Sequence, residues 1–389
     1  MLYTVGNLTG DASGSVGVGI NLAEVDMTRN NGLGKVTFKD LALFSDSLDY
    51  GKLSACRHAN GRDWWIIVPR WEQGSFRRIL YDPLGFHDLG IQAFSNFPQF
   101  RKGAGNAVFS PDGTKYAIID MFKEIKPDTS FLFQFDRCTG LLSNPILLSE
   151  ANDLFNLPNF CFSPNSRYLY KTTGKYVYQY DTEASDINAS RQLVATTDGY
   201  VHIFPSYFMQ MQLAPDGKIY MTSRTAVPFL HRIDYPDRPG VACQVIQHCL
   251  DSLVATTLCI PSFPHFRLGP LDGSPCDTLG IDNLPWARFR YAQDNAQQPL
   301  AVQFTDLTAF EPTWWHWDFG ELGSGDTSAE QNPAHIYAQP GVYEVCLRAG
   351  NDYGADTICR EVRVLSASVG SEEVGSIQVS DYQVFPNPT

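Results

Sequence analysis

The chain has 389 residues, 43% of them hydrophobic and 18% charged, which is enough for two or three domains with separate cores and excludes disorder as its main state. Its 25 Phe, 18 Tyr and 7 Trp, with 31 Gly and 24 Pro, favour many short strands joined by tight turns over helix bundles. Twenty-nine Lys plus Arg against 42 Asp plus Glu leave a net charge of −13 with no basic cluster, which argues against nucleic acid as a partner, and no apolar run of about 18 residues is present to span a bilayer.

At the start, Met1-Leu2-Tyr3-Thr4-Val5-Gly6 has neither the basic beginning nor the apolar run of a secretory signal, so the chain is either cytosolic or lacks its true beginning. The densest polar group follows, with Arg57, His58, Arg62 and Asp63 on an inter-strand loop. Structural hydrogen bonding is the plain reading of this loop; a ligand contact or a catalytic role is the sharper one. Trp64, Trp65 and Trp71 offer rings for stacking on sugars, although strand alternation puts at least one of them in a core. His58, Arg62, Trp64 and Trp71 are therefore the candidate binding residues.

Three later segments share one pattern: Phe109-Ser-Pro-Asp-Gly-Thr-Lys-Tyr-Ala117, Phe162-Ser-Pro-Asn-Ser-Arg-Tyr-Leu-Tyr170 and Leu213-Ala-Pro-Asp-Gly-Lys-Ile-Tyr-Met221. Each reads as strand, turn, strand. Pro sets the first corner, Asp or Asn bonds back to its own backbone, and Gly takes the position that often needs positive φ, so Asp112, Gly113, Asp216 and Gly217 are structural residues. Gly113, Ser166 and Gly217 are 53 and 51 residues apart, and stepping back by 52 and then 51 lands on Gly61 and Gly10. A second strand-like run follows each clear copy, ending at Asp136, Asp181 and Asp234. A period of about 52 residues with four short strands predicts the blade of a β-propeller. In the middle copy, alternation puts Tyr176, Tyr178 and Tyr180 on one face, which predicts packing between neighbouring blades rather than a stacking platform for a ligand.

These Ser-Pro-Asp-Gly turns resemble those of TolB-like and lactonase-like propellers. Asn60-Gly-Arg-Asp-Trp-Trp65, Phe135-Asp-Arg-Cys-Thr-Gly140 and Gln212-Leu-Ala-Pro-Asp-Gly-Lys-Ile-Tyr220 further resemble the propeller of large surface proteins from gliding-type Gram-negative bacteria. The resemblance covers residues 1–268 and implies about five four-stranded blades, closed alone or forming part of a larger ring.

Residues 269–285 are dense in turn formers and read as a linker. Residues 286–365 give alternating strands and predict a small β-sandwich. Its last two strands flank a turn at Asn351 to Gly354 that places Cys346 opposite Cys359, near disulfide reach. A bond is the favoured reading and implies an oxidising compartment; two free buried thiols are the alternative. The other seven cysteines are an odd number without a zinc-type Cys-x-x-Cys pair, so at least one should be free.

Trp317-Asp-Phe-Gly320, Gln331-Asn-Pro-Ala-His-Ile-Tyr337 and Gln339-Pro-Gly-Val-Tyr343 resemble the PKD domain, an immunoglobulin-like module common on bacterial surface proteins. The resemblance makes Trp317 the core indole, Asp318 a turn acceptor and Tyr343 a corner tyrosine. The loop after Gly320 is longer than the family pattern. Asp318, Glu321 and Asp326 are oxygen donors of the kind calcium takes; solvated turn acids are the plainer account, and no cofactor is expected.

Residues 366–378 have linker composition. Residues 379–389, ending Val384-Phe-Pro-Asn-Pro-Thr389, resemble the opening of the C-terminal sorting domain read by the type IX secretion system. That resemblance implies export to the Gram-negative outer surface, with the secretion machinery as a partner in transit. The chain holds no Gly-x-Ser-x-Gly elbow, His-Glu-x-x-His helix, phosphate loop or dinucleotide fingerprint. The expectation is a non-enzymatic extracellular or cell-surface protein that contacts other surface proteins or glycans. The alternatives are a carbohydrate- or peptide-binding module and a lactonase-like hydrolase.

Overall fold

The computed structural model describes residues 2–8, 15–49, 51–70, 74–95, 105–120, 130–148, 158–201, 205–223, 227–249, 263–293, 295, 297–321 and 326–366. The chain divides into two compact units, residues 1–59 with 63–266, and residues 60–62 with 267–389. Both are all-β. Among the described residues the only helical pieces are 3-10 turns at Asn30–Gly32 and Gly240–Cys243, and no helix is long and apolar enough to cross a membrane.

The first unit opens with an antiparallel meander of β1 (Leu2–Leu8), β2 (Ser15–Asp26) and β3 (Lys35–Leu48). Four four-stranded antiparallel sheets follow. The first holds β4 (Ser54–Arg57), β5 (Trp64–Arg70), β6 (Ser75–Asp82) and β7 (Gly85–Ala93). The second holds β8 (Gly105–Phe109), β9 (Lys115–Asp120), β10 (Ser130–Asp136) and β11 (Leu141–Leu147). The third holds β12 (Asn159–Phe162), β13 (Tyr168–Thr172), β14 (Tyr176–Asp181) and β15 (Gln192–Thr196). The fourth holds β16 (Met211–Leu213), β17 (Ile219–Met221), β18 (Leu230–Ile233) and β19 (Val245–Cys249). The first strands of successive sheets lie side by side, β4 by β8, β8 by β12 and β12 by β16. That is the radial neighbour order of a β-propeller, in which each sheet is one blade.

The 52-residue period marks one recurring turn. Gly61, Gly113, Ser166 and Gly217 all have φ between 63° and 77°. The residue before each, Asn60, Asp112, Asn165 or Asp216, accepts a hydrogen bond on its side-chain oxygen from the backbone N–H two residues on, at 2.9–3.1 Å. Ser166 shows that the left-handed conformation belongs to the turn and that glycine is only its easiest occupant. Four blades are described where about five were expected; the Gly10 position lies outside the described residues, and β1 to β3 join the first blade's sheet through one pairing, Leu48 with Arg70.

Burial concentrates between blades. One apolar cluster runs from Ala117, Ile119 and Leu132 to Phe160, Leu169 and Tyr180, joining the second and third blades, with Tyr178 against it. Another joins Tyr170, Val177 and Val194 of the third blade to Met211, Ile219 and Ile233 of the fourth. Amides bind the seams: Asn106 Oδ1 accepts from Phe160 N and Asn159 Oδ1 from Met211 N. On the outer strands, Gln92 exchanges two bonds with the Leu142 backbone, while Gln247 bonds Thr196 O and Asp198 N.

The second unit pairs a three-stranded sheet, β20 (Phe289–Ala292), β21 (Ala301–Asp306) and β24 (Ala334–Ile336), with a four-stranded one, β23 (Thr327–Ser328), β22 (Trp314–Asp318), β25 (Gly341–Asn351) and β26 (Gly354–Val364). Phe289, Val302 and Phe304 from one sheet and Trp317, Val345, Leu347, Val362 and Val364 from the other share a single core, so the unit is a β-sandwich. Residues 269–285 carry no strand but are tied down: Asn283 donates to Pro270 O, and Asn351 at the β25–β26 turn donates to Asn283 O.

Candidate functional site

The polar loop of the first blade is used internally. The His58 Nε2 lies 3.2 Å from Cys138 O, and the His58 ring sits 5.4 Å from that of the buried Trp65. Trp65 donates its indole N–H to Arg137 O at 2.7 Å, while Arg137 reaches back to Arg57 O and His58 O. The Asp-Arg-Cys-Thr-Gly turn thus locks the second blade onto the first, and Gly140 lies so close that a Cβ there would meet the Trp65 ring at 2.5 Å. Arg62 sits in the recurring turn, its N–H held by Asn60, and that turn belongs to the other unit. Trp64 is half-buried, with the Arg57 guanidinium 4.6 Å above its ring and Phe266 edge-on at 5.8 Å. Trp71 lies outside the described residues. Of the candidate binding residues that are described, His58, Arg62 and Trp64 are all half-buried.

A second polar group, not singled out from the sequence, lies between the third and fourth blades. His248, in β19, has φ of 57°, and its Nε2 contacts Asp198 Oδ2 at 2.9 Å. Its ring is 4.6 Å from Tyr200, 4.4 Å from Phe229 and 5.0 Å from His231. His231 is fully buried and accepts the His248 N–H on Nδ1. Its proton therefore sits on Nε2, which donates to Ser206 Oγ at 3.2 Å. Burial, aided by the charge of His248, pushes the His231 pKa down to about 3. A histidine that donates to the serine cannot take the serine's proton, so Ser206 and His231 do not form a nucleophile–base pair. The repeat could have pointed here: residues about one period apart face each other across a seam, and Asp198 and His248 are 50 apart.

Three of the thiols are poorly suited as nucleophiles. Cys56 and Cys161 are buried, and desolvation raises both to about 12; Cys243 is raised to about 11 by the same cause. Cys249 is half-buried and donates its S–H to Leu230 O at 3.3 Å.

In the sandwich, Cys346 and Cys359 pair directly across β25 and β26 and are joined by a disulfide. Trp317 is fully buried against Phe289 and Phe304, with its indole N–H donated to Glu330 O. The Tyr343 hydroxyl donates to Gln339 O, and Asp318 Oδ1 accepts from Gly320 N. Asp318 is thus engaged in its own turn. The acids Glu321 and Asp326 gather instead with His335, their ligand atoms lying within 4.8 Å of one another. An open apolar cleft of about 350 Å³ is lined by Gln298, Pro299, Leu300, Ile336, Pro340 and Ser366.

Comparison with known proteins adds one assignment. Residues 285–365 match the PKD domain family, so the sandwich is a PKD domain. The PKD1 domain of Vibrio anguillarum Epp is 28% identical over 21% of this chain and 95% of its own length, with a TM-score of 0.19. TolB from Acinetobacter baumannii is 14% identical over 79% of this chain and 60% of its own, with a TM-score of 0.36. A protein from Lactobacillus plantarum is 12% identical over 90% and 86%, also at 0.36. No curated protein matches the chain.

Proposed function

We propose that this chain is a non-enzymatic, secreted or cell-surface protein that works in adhesion or as a subunit of an extracellular assembly. The PKD domain at residues 285–365 carries this reading, supported by the disulfide in its terminal hairpin, which suits an oxidising compartment. The propeller adds support of a different kind. Among the described residues of its polar loops, the most concentrated groups serve the seams between blades: His58 and Arg137 in one, Asp198 and His248 in the other. Type IX export to the Gram-negative outer surface, suggested by residues 379–389, belongs to the same proposal, and that segment lies outside the described residues.

A second reading rests on Trp64. Its indole is half-buried, with Arg57 over one face, and the remaining ring surface is where a sugar ring would stack. It predicts saturable binding of a soluble glycan, lost in Trp64→Ala. A lactonase-like hydrolase is the third reading and predicts turnover abolished by chelation.

The test is light scattering with intact-mass analysis on material sheared from native cells. A large particle containing other proteins supports the assembly reading. A monomer that binds glycan or turns over a lactone overturns it.

A further inference from the structure

We infer that Glu321, Asp326 and His335 form a site for one divalent transition-metal ion of the zinc type. The turn after β22 delivers the first ligand. Gly320 has φ of 75°, and a Cβ there would meet Glu344 O at 2.3 Å, so only glycine allows the chain to double back beside β25. Glu321 then turns inward. Its Oε1 accepts from Ala338 N at 2.9 Å, leaving Oε2 3.2 Å from His335 Nε2.

That 3.2 Å is informative. Two ligands bound tetrahedrally at roughly 2.0–2.1 Å stand about 3.3–3.4 Å apart, so the carboxylate and imidazole already have the spacing of neighbouring zinc ligands. The His335 ring is fixed in place, stacked on Phe319 at 4.2 Å and 7° and edge-on to Tyr337 at 4.6 Å. The Ala338 N–H and the two aromatic rings supply the outer contacts that orient metal ligands. Both side chains are mostly buried, at 14% and 10% exposed, whereas Asp326 is exposed. The open side provides for the third ligand and a water.

The donor set selects the metal. One imidazole and two carboxylates suit zinc, whereas calcium takes six to eight oxygens and no imidazole. Two carboxylates also balance a dication when the histidine is neutral. Of the three acids weighed from the sequence as weak calcium candidates, Glu321 and Asp326 gather with a histidine, while Asp318 accepts from Gly320 N in its own turn. The bound ion would tie Glu321 and Asp326 to His335 on β24.

The test uses the full chain, stripped with chelator and titrated with Zn²⁺ by calorimetry, with metal analysis after dialysis. One equivalent is expected, weakened at least tenfold in Asp326→Asn, an exposed change that leaves the packed residues in place, and abolished in His335→Gln. A tenfold excess of Ca²⁺ should not displace the zinc. Co²⁺ in the site should give weak visible bands without the intense near-ultraviolet absorption of a thiolate ligand. Absence of stoichiometric zinc overturns the inference, as do equal binding by Asp326→Asn, displacement by calcium, or a thiolate band.

Discussion

Asn106 and Asn159 stand one repeat apart and act alike, each aiming its side-chain oxygen at a backbone N–H of the next blade, Phe160 at 2.9 Å and Met211 at 3.0 Å. The amide supplies a bond that no strand of its own sheet can supply. Asn159→Ala should leave the Met211 N–H buried and unpaired, which costs about 1–3 kcal/mol. Asn106→Ala should do the same to Phe160. Urea unfolding followed by tryptophan fluorescence reads both; midpoints unchanged from the parent chain would mean the seams are held by apolar contact alone.

His231 makes stability depend on pH in a defined window. Its folded pKa of about 3 lies below its ordinary 6.5, so below pH 6.5 the unfolded chain takes up a proton that the native chain refuses. For this group stability should be level above pH 6.5 and fall by about 1.4 kcal/mol per pH unit below it, flattening near pH 3. His231→Gln removes the proton difference. The variant's stability, measured from pH 7 to pH 4, should therefore lose one proton's worth of slope relative to the parent; parallel curves would refute the assignment.

Cys56, Cys161 and Cys243 should resist iodoacetamide at pH 8 in the native protein, because burial keeps each protonated and shielded. Peptide mass mapping should find all three modified once guanidinium is added. Labelling of any of them without denaturant would show that its blade opens readily.

Removing the hairpin disulfide should act on the sandwich alone. The bond closes a separation of 13 residues, and loops of that size contribute about 3 kcal/mol through the unfolded chain. Calorimetry of the double variant Cys346→Ala/Cys359→Ala should lower the transition of the PKD domain and leave that of the blades in place, since the two units have separate cores.

Much of the fold was legible because its signals are local. The turn at Gly113, Ser166 and Gly217 is written in adjacent residues, and the period carries the strand count with it. Cys346 and Cys359 could be placed opposite each other because a two-residue turn fixes the register of everything beyond it. The candidate sites were less legible because they depend on pairs far apart in sequence. His58 reads as a structural hydrogen-bonding residue, but its partner, Cys138 O, lies 80 positions later and is not named by the sequence. His335 reads as a strand residue until the backbone reversal at Gly320 brings Glu321 to it.

The arm formed by β2 and β3 bears on how the protein behaves at high concentration. Among the described residues, the outer edge of β3 pairs only at Leu48, which leaves more than ten residues of backbone facing outward beside the exposed Val36 and Leu41. Such an edge would ordinarily recruit a strand from another molecule. Here Asp40 is twisted to φ of 61°, the β2–β3 register shifts at four points, and Lys35 and Lys39 lie along the strand. An incoming strand would find its hydrogen-bond spacing broken and would have to bury charge, so crowding should not polymerise the chain through this edge.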